Sequence, residues 1–498
     1  MAMLIGIDLG TSGIKAVLIE GLTRVVATSS EAIAVSRPQV GWSEQDPNLW
    51  VNAVLLCLDR LARDAAPEMA AVSGIGLSGQ MLAALILDES HRPIRPAMLW
   101  NDQRAVAECD ALLAMVPDIG QRTNGTPDPG ITAPKLMWLA RHEPQAMERA
   151  RMLVLTKDFV RLALSGELAT EPSDAGGTQL LDCRSGQWDA DLCASVGWNR
   201  AHLPPVLDSW AEAGRLRPAL LTRWGMAGPV SVAAGAGDNM GSTLGAGGAR
   251  PGEAVLTIGT SGVVCIVDHA FHPGPENAIL TSAHVVPGTY LSMGVVMSAT
   301  ASLDWLGRLT GNNAATLNAQ AEDFVATGRL EQGPLFLPSL TGIRTPLNRP
   351  DLLGRMAGLH PGVTPGALAY ATMEGVAFQF ADCVAAQRQT GVQADSFTVV
   401  GGGTRSRLWL RLIASALGVE VGLVARADIA GPIGAARLAA VAAGAPKALL
   451  QDRVEVVESV APDARLADQL ASRRLGFDAL MHSPPAAVSR ANGGSEPA

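Results

Sequence analysis

The 498-residue sequence has no C-x-x-C pair; its six cysteines, Cys57, Cys109, Cys183, Cys193, Cys265 and Cys383, stand singly. That excludes a disulfide framework and a Cys/His zinc site, and leaves reduced, mostly buried thiols. Nor is there an uncharged apolar run approaching the roughly 18 residues of a spanning helix. The first residues enter a strand with no basic segment and apolar stretch ahead of it, so the expectation is a cytoplasmic protein. Positive charge is in deficit: 38 Lys and Arg against 47 Asp and Glu give a net charge of −9. Such a surface has no general pull toward nucleic acid or an anionic membrane, so an anionic ligand must be held locally.

Apolar residues make up 48% and charged residues 17%, ample for buried cores, and the length suggests two large domains. A short string occurs twice. "IGIDLGTSGIKAVLIE" (5–20) and "VLTIGTSGVVCIVD" (255–268) each read as two strands meeting at a glycine turn, a β-hairpin opening a domain. Two copies flanked by matched strands point to duplication of one α/β unit. Strand and glycine-loop patterns recur at 72–80, 397–403 and 419–425, and strand, glycine loop, helix is how backbone amides are presented to phosphate. The small-residue stretch 235–253 marks a boundary, giving domains 1–246 and 247–482, and the Pro/Gly/Ser-rich 483–498 reads as a disordered tail.

One GTSG turn alone satisfies hairpin geometry and nothing more. Two facing turns can converge the amides and hydroxyls of Thr11, Ser12, Thr260 and Ser261 on one polyphosphate. The copies differ where a metal would bind, Asp8 aligning with Thr257, and one carboxylate suits Mg²⁺. Lys15, aligning with Val264, either neutralises phosphate or is an exposed strand lysine.

Asp8 to Lys15 resembles the phosphate loop of sugar kinases that share the actin and Hsp70 ATPase fold, and residues 3 to about 445 resemble the FGGY carbohydrate kinase family. "GITAPKLMWLARH" (130–142), with Lys135 and Trp138, is similar to the family's first signature, and "GRMAGLHPGVTPGALAYATMEGVAF" (354–378) to its second, although Ala367 replaces a polar residue. "WSEQDPNLW", "LWNDQR", "GAGDN" and "FLPSLTGIRTP" are similar to the family's pentulose kinases. The resemblance implies two duplicated actin/Hsp70-like (ribonuclease H-like) α/β domains around an interdomain cleft. It implies a reaction too: ATP-dependent phosphorylation of a pentulose, D-xylulose foremost, to the 5-phosphate.

The resemblance also implies a role for each of several residues. Asp238 is the catalytic base, a carboxylate on a glycine-rich loop that accepts the proton of the attacking hydroxyl. Asp8 is its catalytic partner and holds Mg²⁺, directly or through water. Gly10, Thr11, Ser12, Lys15, Gly259 and Thr260 meet phosphates; Ser302, Gly402, Gly403 and Arg407 belong to the nucleotide side, where Arg405 and Arg407 either flank the adenine or stay solvated. Gly434 serves either the ligand or packing. Gln80, Met81, Leu82, Trp100, Asn101, Asp102, Asp128 and Asp238 surround the sugar. A homodimer fits the resemblance, with no nucleic-acid or membrane partner.

The pattern breaks at Leu82, where the family's sugar loop usually has a histidine, and at Ala83, where it has glycine. Leucine cannot bond a hydroxyl, and a missing partner can shift discrimination by a factor of up to about 10⁴. The alternatives are another ketose or a sugar alcohol as substrate, or Asp128 supplying the bond. An actin-like ATPase that moves a protein partner is the other class; its ATP turnover would not depend on sugar.

Overall fold

The computed structural model describes residues 2–482, so the predicted tail lies outside the described residues. In the first half, β1 (Met3–Leu9), β2 (Gly13–Glu20) and β3 (Arg24–Ala32) form an antiparallel meander in which Asp8 faces Lys15 across the first hairpin. α1 (Pro47–Asp64) begins where Asp46 accepts the Asn48 N–H and proline fills the first turn, and it buries Trp50, Val54, Leu58 and Leu61. β4 (Val72–Gly79) then joins β1 in parallel. α2 (Thr132–His142) and α3 (Thr156–Ser165) follow, then β5 (Glu212–Arg215), β6 (Ser231–Ala233), β7 (Ala236–Gly237) and α4 (Asp238–Gly245). The sheet runs β5-β6-β4-β1-β2-β3, with β7 also on β4.

The second half repeats the plan. β8 (Glu253–Ile258) and β9 (Gly262–Asp268) make the second hairpin, with β10 (Leu280–Ala283) and β11 (Tyr290–Val296) beyond it. α5 (Thr300–Thr310) and the long buried α6 (Pro365–Gln389) lead to β12 (Ser396–Val400), α7 (Arg407–Leu417) and β13 (Val421–Val424). α8 (Ala430–Ala442), β14 (Val456–Val460) and α9 (Ala464–His482) close the described chain. The order is β10-β11-β9-β8-β12-β13-β14. With the edge strands β5, β10 and β14 set aside, β3-β2-β1-β4-β6 of the first sheet matches β11-β9-β8-β12-β13 of the second, and the last two steps are parallel in each. β1 and β8 are apolar on both faces, as central strands covered by helices must be.

The halves are not separate along the chain. α8, from the second half, lies on β1, β4 and α4 of the first. Its close approach depends on missing side chains: a Cβ on Gly6 would stand 1.8 Å from the Pro432 carbonyl oxygen, and one on Gly76 1.8 Å from that of Ala435. Gly434 has the packing role, since a Cβ there would stand 1.9 Å from the Gly241 oxygen. All six cysteines are free thiols, five of them buried and Cys109 half-buried.

Candidate active site

β1 ends at the cleft with Asp8, and the parallel register places Ser78 of β4 beside it. The Ser78 hydroxyl donates to Asp8 Oδ1 at 2.6 Å, fixing the carboxylate. Asp238 opens α4 immediately after β7, where the Asn239 amide donates to Oδ1 at 2.7 Å. The loop before it is anchored from below: Arg161 Nη1 donates to the Ala234 carbonyl at 2.7 Å, and the Gly237 amide donates to Ser173 Oγ at 3.0 Å. Arg161 belongs to a fully buried ionic cluster with Lys157, Asp158, Glu171 and Asp174. Asp238 therefore stands on a rigid floor.

Both aspartates line a cavity of about 650 Å³ between the halves. Lys15 and Ser242 share its first wall; Thr257, Gly402 and Arg405 contribute to the second, with the 426–432 stretch alongside. Burial pushes the Asp238 carboxyl up to about 7, with the nearby charge of Asp8 adding to it. Burial also raises Asp8, opposed by the Ser78 hydroxyl and Lys15. The site has Lys15, Arg405 and Arg426 as the cationic side chains of its lining. The N-terminal ends of α4 and α8 point partial positive charge into it, since a Cβ on Gly431 would lie 2.9 Å from Asp8 Cγ. Among the described residues no group of three or more His, Cys, Asp or Glu could cage a metal alone. Two carboxylates facing an open, roomy cavity suit a hard cation that takes its remaining ligands from phosphate and water.

On the opposite side of Asp238, Met81 packs its thioether against Gly237, where a Cβ would meet the sulfur at 2.6 Å. Leu82 follows with φ at 68°, a left-handed backbone that leucine rarely adopts. The conformation is clamped: the Leu82 carbonyl accepts from Thr132 Oγ1 at 3.1 Å and Lys135 Nζ at 3.0 Å. Lys135 is fully buried and also donates to the Gly130 and Leu99 carbonyls, each at 2.6 Å. Desolvation brings its ammonium down to about 7, against the pull of Asp102 and Asp128. The Leu82 side chain lies over Gly177.

The remaining residues separate into those at the cleft and those behind it. Trp100 is 44% exposed and donates its Nε1 hydrogen to Thr11 Oγ1 at 2.9 Å. Asn101 is half-buried. Asp102 is fully buried and its oxygens are taken by the Ser43 amide and Arg104, so it holds the loop and does not present a carboxylate to a ligand. Gln80 is 1% exposed and its amide is engaged by Thr11 and Gln45. Asp128 Oδ1 accepts the Gly130 amide at 2.8 Å while Oδ2 lies 3.8 Å from Arg344 of the second half. Gly10 is half-buried and Ser12 exposed, at the first turn. At the second, Gly259 donates to the Ser261 carbonyl, and Thr260 accepts the amides of Ala299 and Ala301, tying the turn to the start of α5.

On the nucleotide side, Gly402 opens into the cavity, whereas Gly403 packs on Ile258. Ser302 is fully buried, its hydroxyl spent on the Ser298 and Pro338 carbonyls. Arg407 pairs with Glu458 on the surface, whereas Arg405 and Arg426 are the arginines of the cavity wall. Sequence reasoning overlooked Ser78, Ser242, Gln45 and Gly431. For Ser78 a signal existed: strand alternation places residues 78 and 80 on one face.

Two repeats of one sheet plan around an acid pair define a two-lobed protein of the actin/Hsp70-like class, with its cleft between the lobes. The N-terminal domain of the FGGY family of carbohydrate kinases matches residues 3–245 and its C-terminal domain residues 254–443, and the chain belongs to that family. It is 37% identical to the xylulose kinase of Escherichia coli strain K12 over 96% of this chain and 98% of the other. Identity to the xylulose kinase of Klebsiella pneumoniae is 39%, covering 88% and 90% of the two chains. A crystal structure described as a xyloylose kinase from Brucella ovis superimposes with a TM-score of 0.90 at 38% identity, covering 96% and 98%.

Proposed function

We propose that this sugar kinase transfers the γ-phosphate of Mg-ATP to the terminal primary hydroxyl of a pentulose, D-xylulose foremost, yielding the 5-phosphate. The observation carrying this reading is the placement of Asp238, with its carboxyl raised to about 7, on the floor of a cavity shared with Asp8, Lys15 and the helix ends. The identity to xylulose kinases over nearly the whole chain supports the choice of sugar.

Asp238 orients the hydroxyl and accepts its proton as the oxygen attacks, a task for which a pKa near the working pH is well matched. Asp8, held by Ser78, would hold Mg²⁺ together with phosphate oxygens, and the ion supplies charge neutralisation to the transferred group. Lys15 and the start of α8 face the phosphate side; Met81, Leu82 and Trp100 form the apolar side of the sugar site, and Arg405 faces the nucleotide. Catalysis rests on in-line positioning and charge compensation. No described helix is long and apolar enough to cross a membrane.

The test is coupled ADP release against a panel of ketoses and polyols, for the native enzyme and Leu82→His. D-xylulose as the best native substrate is the expected result, with Leu82→His folding normally because histidine tolerates a left-handed backbone at least as well as leucine. A different best substrate, with xylulose turnover gained only in Leu82→His, would transfer the assignment to another ketose or sugar alcohol.

A further inference from the structure

Resting on the sugar-kinase reading, the geometry points to Gln45 as a positioning residue that locks the phosphate-side turn to the sugar-side loop in one fixed register. Gln45, Trp50 and Gln80 are each 1% exposed. Trp50 Nε1 lies 2.9 Å from Gln45 Oε1, and an indole nitrogen can only donate. That one fact orients everything beyond it. Gln45 must turn its oxygen toward Trp50, so its Nε2 donates to the Thr11 carbonyl at 2.7 Å and the Ala34 carbonyl at 3.3 Å.

The same Oε1 accepts Gln80 Nε2 at 3.0 Å, so Gln80 turns its own oxygen to Thr11 Oγ1, which donates to it at 2.9 Å. Thr11 in turn accepts Trp100 Nε1 at 2.9 Å. Thr11 belongs to the first GTSG turn; Gln80, Met81 and Leu82 are consecutive in the sugar loop, and Trp100 is its exposed wall. Gln45 therefore grips Thr11 twice, directly at the main chain and through Gln80 at the hydroxyl. Gln45 lies outside both loops and hydrogen-bonds to each of them. Its consequence is distance: the acceptor hydroxyl and the γ-phosphate are held by loops that cannot slide apart without breaking this network, and a misplacement of about 1 Å can cost about 10²-fold in rate.

The test compares Gln45→Met, which keeps length without an amide, Gln45→Glu, which sets a carboxylate oxygen against the Thr11 and Ala34 carbonyls, and Trp50→Phe, which keeps the ring against Phe159 while freeing the Gln45 amide to turn. Sugar phosphorylation, sugar-independent ATP hydrolysis and both KM values are read for each. Expected are a kcat for phosphorylation lower by about 10–100-fold in Gln45→Met and lower still in Gln45→Glu, KM values within about 3-fold of native, and hydrolysis rising about 10-fold relative to phosphorylation. Trp50→Phe, which leaves the amide in place, should show the same split at about 3–10-fold and serves if Gln45→Met does not fold. Unchanged kcat with only a lower Tm, or phosphorylation and hydrolysis falling in parallel, would assign Gln45 to the core alone. A native enzyme whose ADP release no sugar stimulates would instead sink the kinase reading itself.

Discussion

Asp238 is the residue on which the proposed chemistry turns. Its carboxyl is raised to about 7 by burial and by Asp8, and a base works only when deprotonated. For the free enzyme, kcat/KM should therefore fall as pH drops below about 7 and level off above it. Asp238→Asn should abolish that profile and lower phosphorylation by at least about 10³-fold while nucleotide binding persists; near-normal turnover would remove it as the base. Stability should respond in the opposite sense. An acid whose folded pKa is above its unfolded value penalises the folded state once it is charged, so the penalty is absent near pH 4 and complete above about 7. Asp238→Asn should thus raise the Tm of the ligand-free enzyme at pH 8 and leave it unchanged at pH 4. The cleft positions of Asp238 and Asp8 were readable from the sequence because "GAGDN" and "DLGTSGIK" are local strings. Asp102 and Gln80 were not: their strings matched a sugar loop, yet burial and hydrogen bonds to Ser43, Arg104, Thr11 and Gln45 place them behind the surface that a ligand meets.

At the scale of elements, the two hairpins and the duplication were legible, since apolar alternation and glycine turns are short-range signals and the two sheets repeat one order. The position of α8 was not. "GPIGAARLAAVAAG" is small and apolar apart from Arg437, so no stripe indicates which surface it covers. Its place is set by glycines distant in sequence. Gly76 on β4 meets the Ala435 carbonyl so closely that an added Cβ would lie 1.8 Å from the oxygen, and backbone on both sides cannot yield as a flexible side chain would. Gly76→Ala should cost about 3 kcal/mol in denaturant unfolding. Gly228, which has nothing within 4 Å of its added Cβ, is the control, and Gly228→Ala should stay within about 0.5 kcal/mol. Equal effects of the two would mean that α8 lies less tightly on the first sheet than its contacts indicate.

For the whole molecule, the question is what joins the lobes besides α8. Hydrogen bonds do so at the Thr126 hydroxyl, which donates to the Pro275 carbonyl, and at the Thr281 amide, which donates to the Asn124 carbonyl. Two more contacts involve charged side chains of the cleft: Lys15 Nζ donates to the Asp428 carbonyl at 3.0 Å, and Arg344 lies 3.8 Å from Asp128. The second is long, and its partners are 22% and 35% exposed, so it contributes at most about 1 kcal/mol in this state. A weak pair at that place is suited to report closure. The Asp128 loop adjoins Trp100, since a Cβ on Gly130 would meet the Trp100 carbonyl oxygen at 1.8 Å, and a sugar seated there that draws the lobes together shortens the pair and excludes water. Arg344→Ala should then raise the KM for sugar about 3–10-fold, leave the KM for ATP unchanged, and increase the share of ATP lost to water. Exchanging the charges, Asp128→Arg with Arg344→Asp, should restore part of the loss if attraction across the cleft is the cause. Failure of the exchange together with a normal KM in Arg344→Ala would leave closure to α8 and the other contacts between the halves, and the Asp128–Arg344 pair would be a contact of the resting state alone.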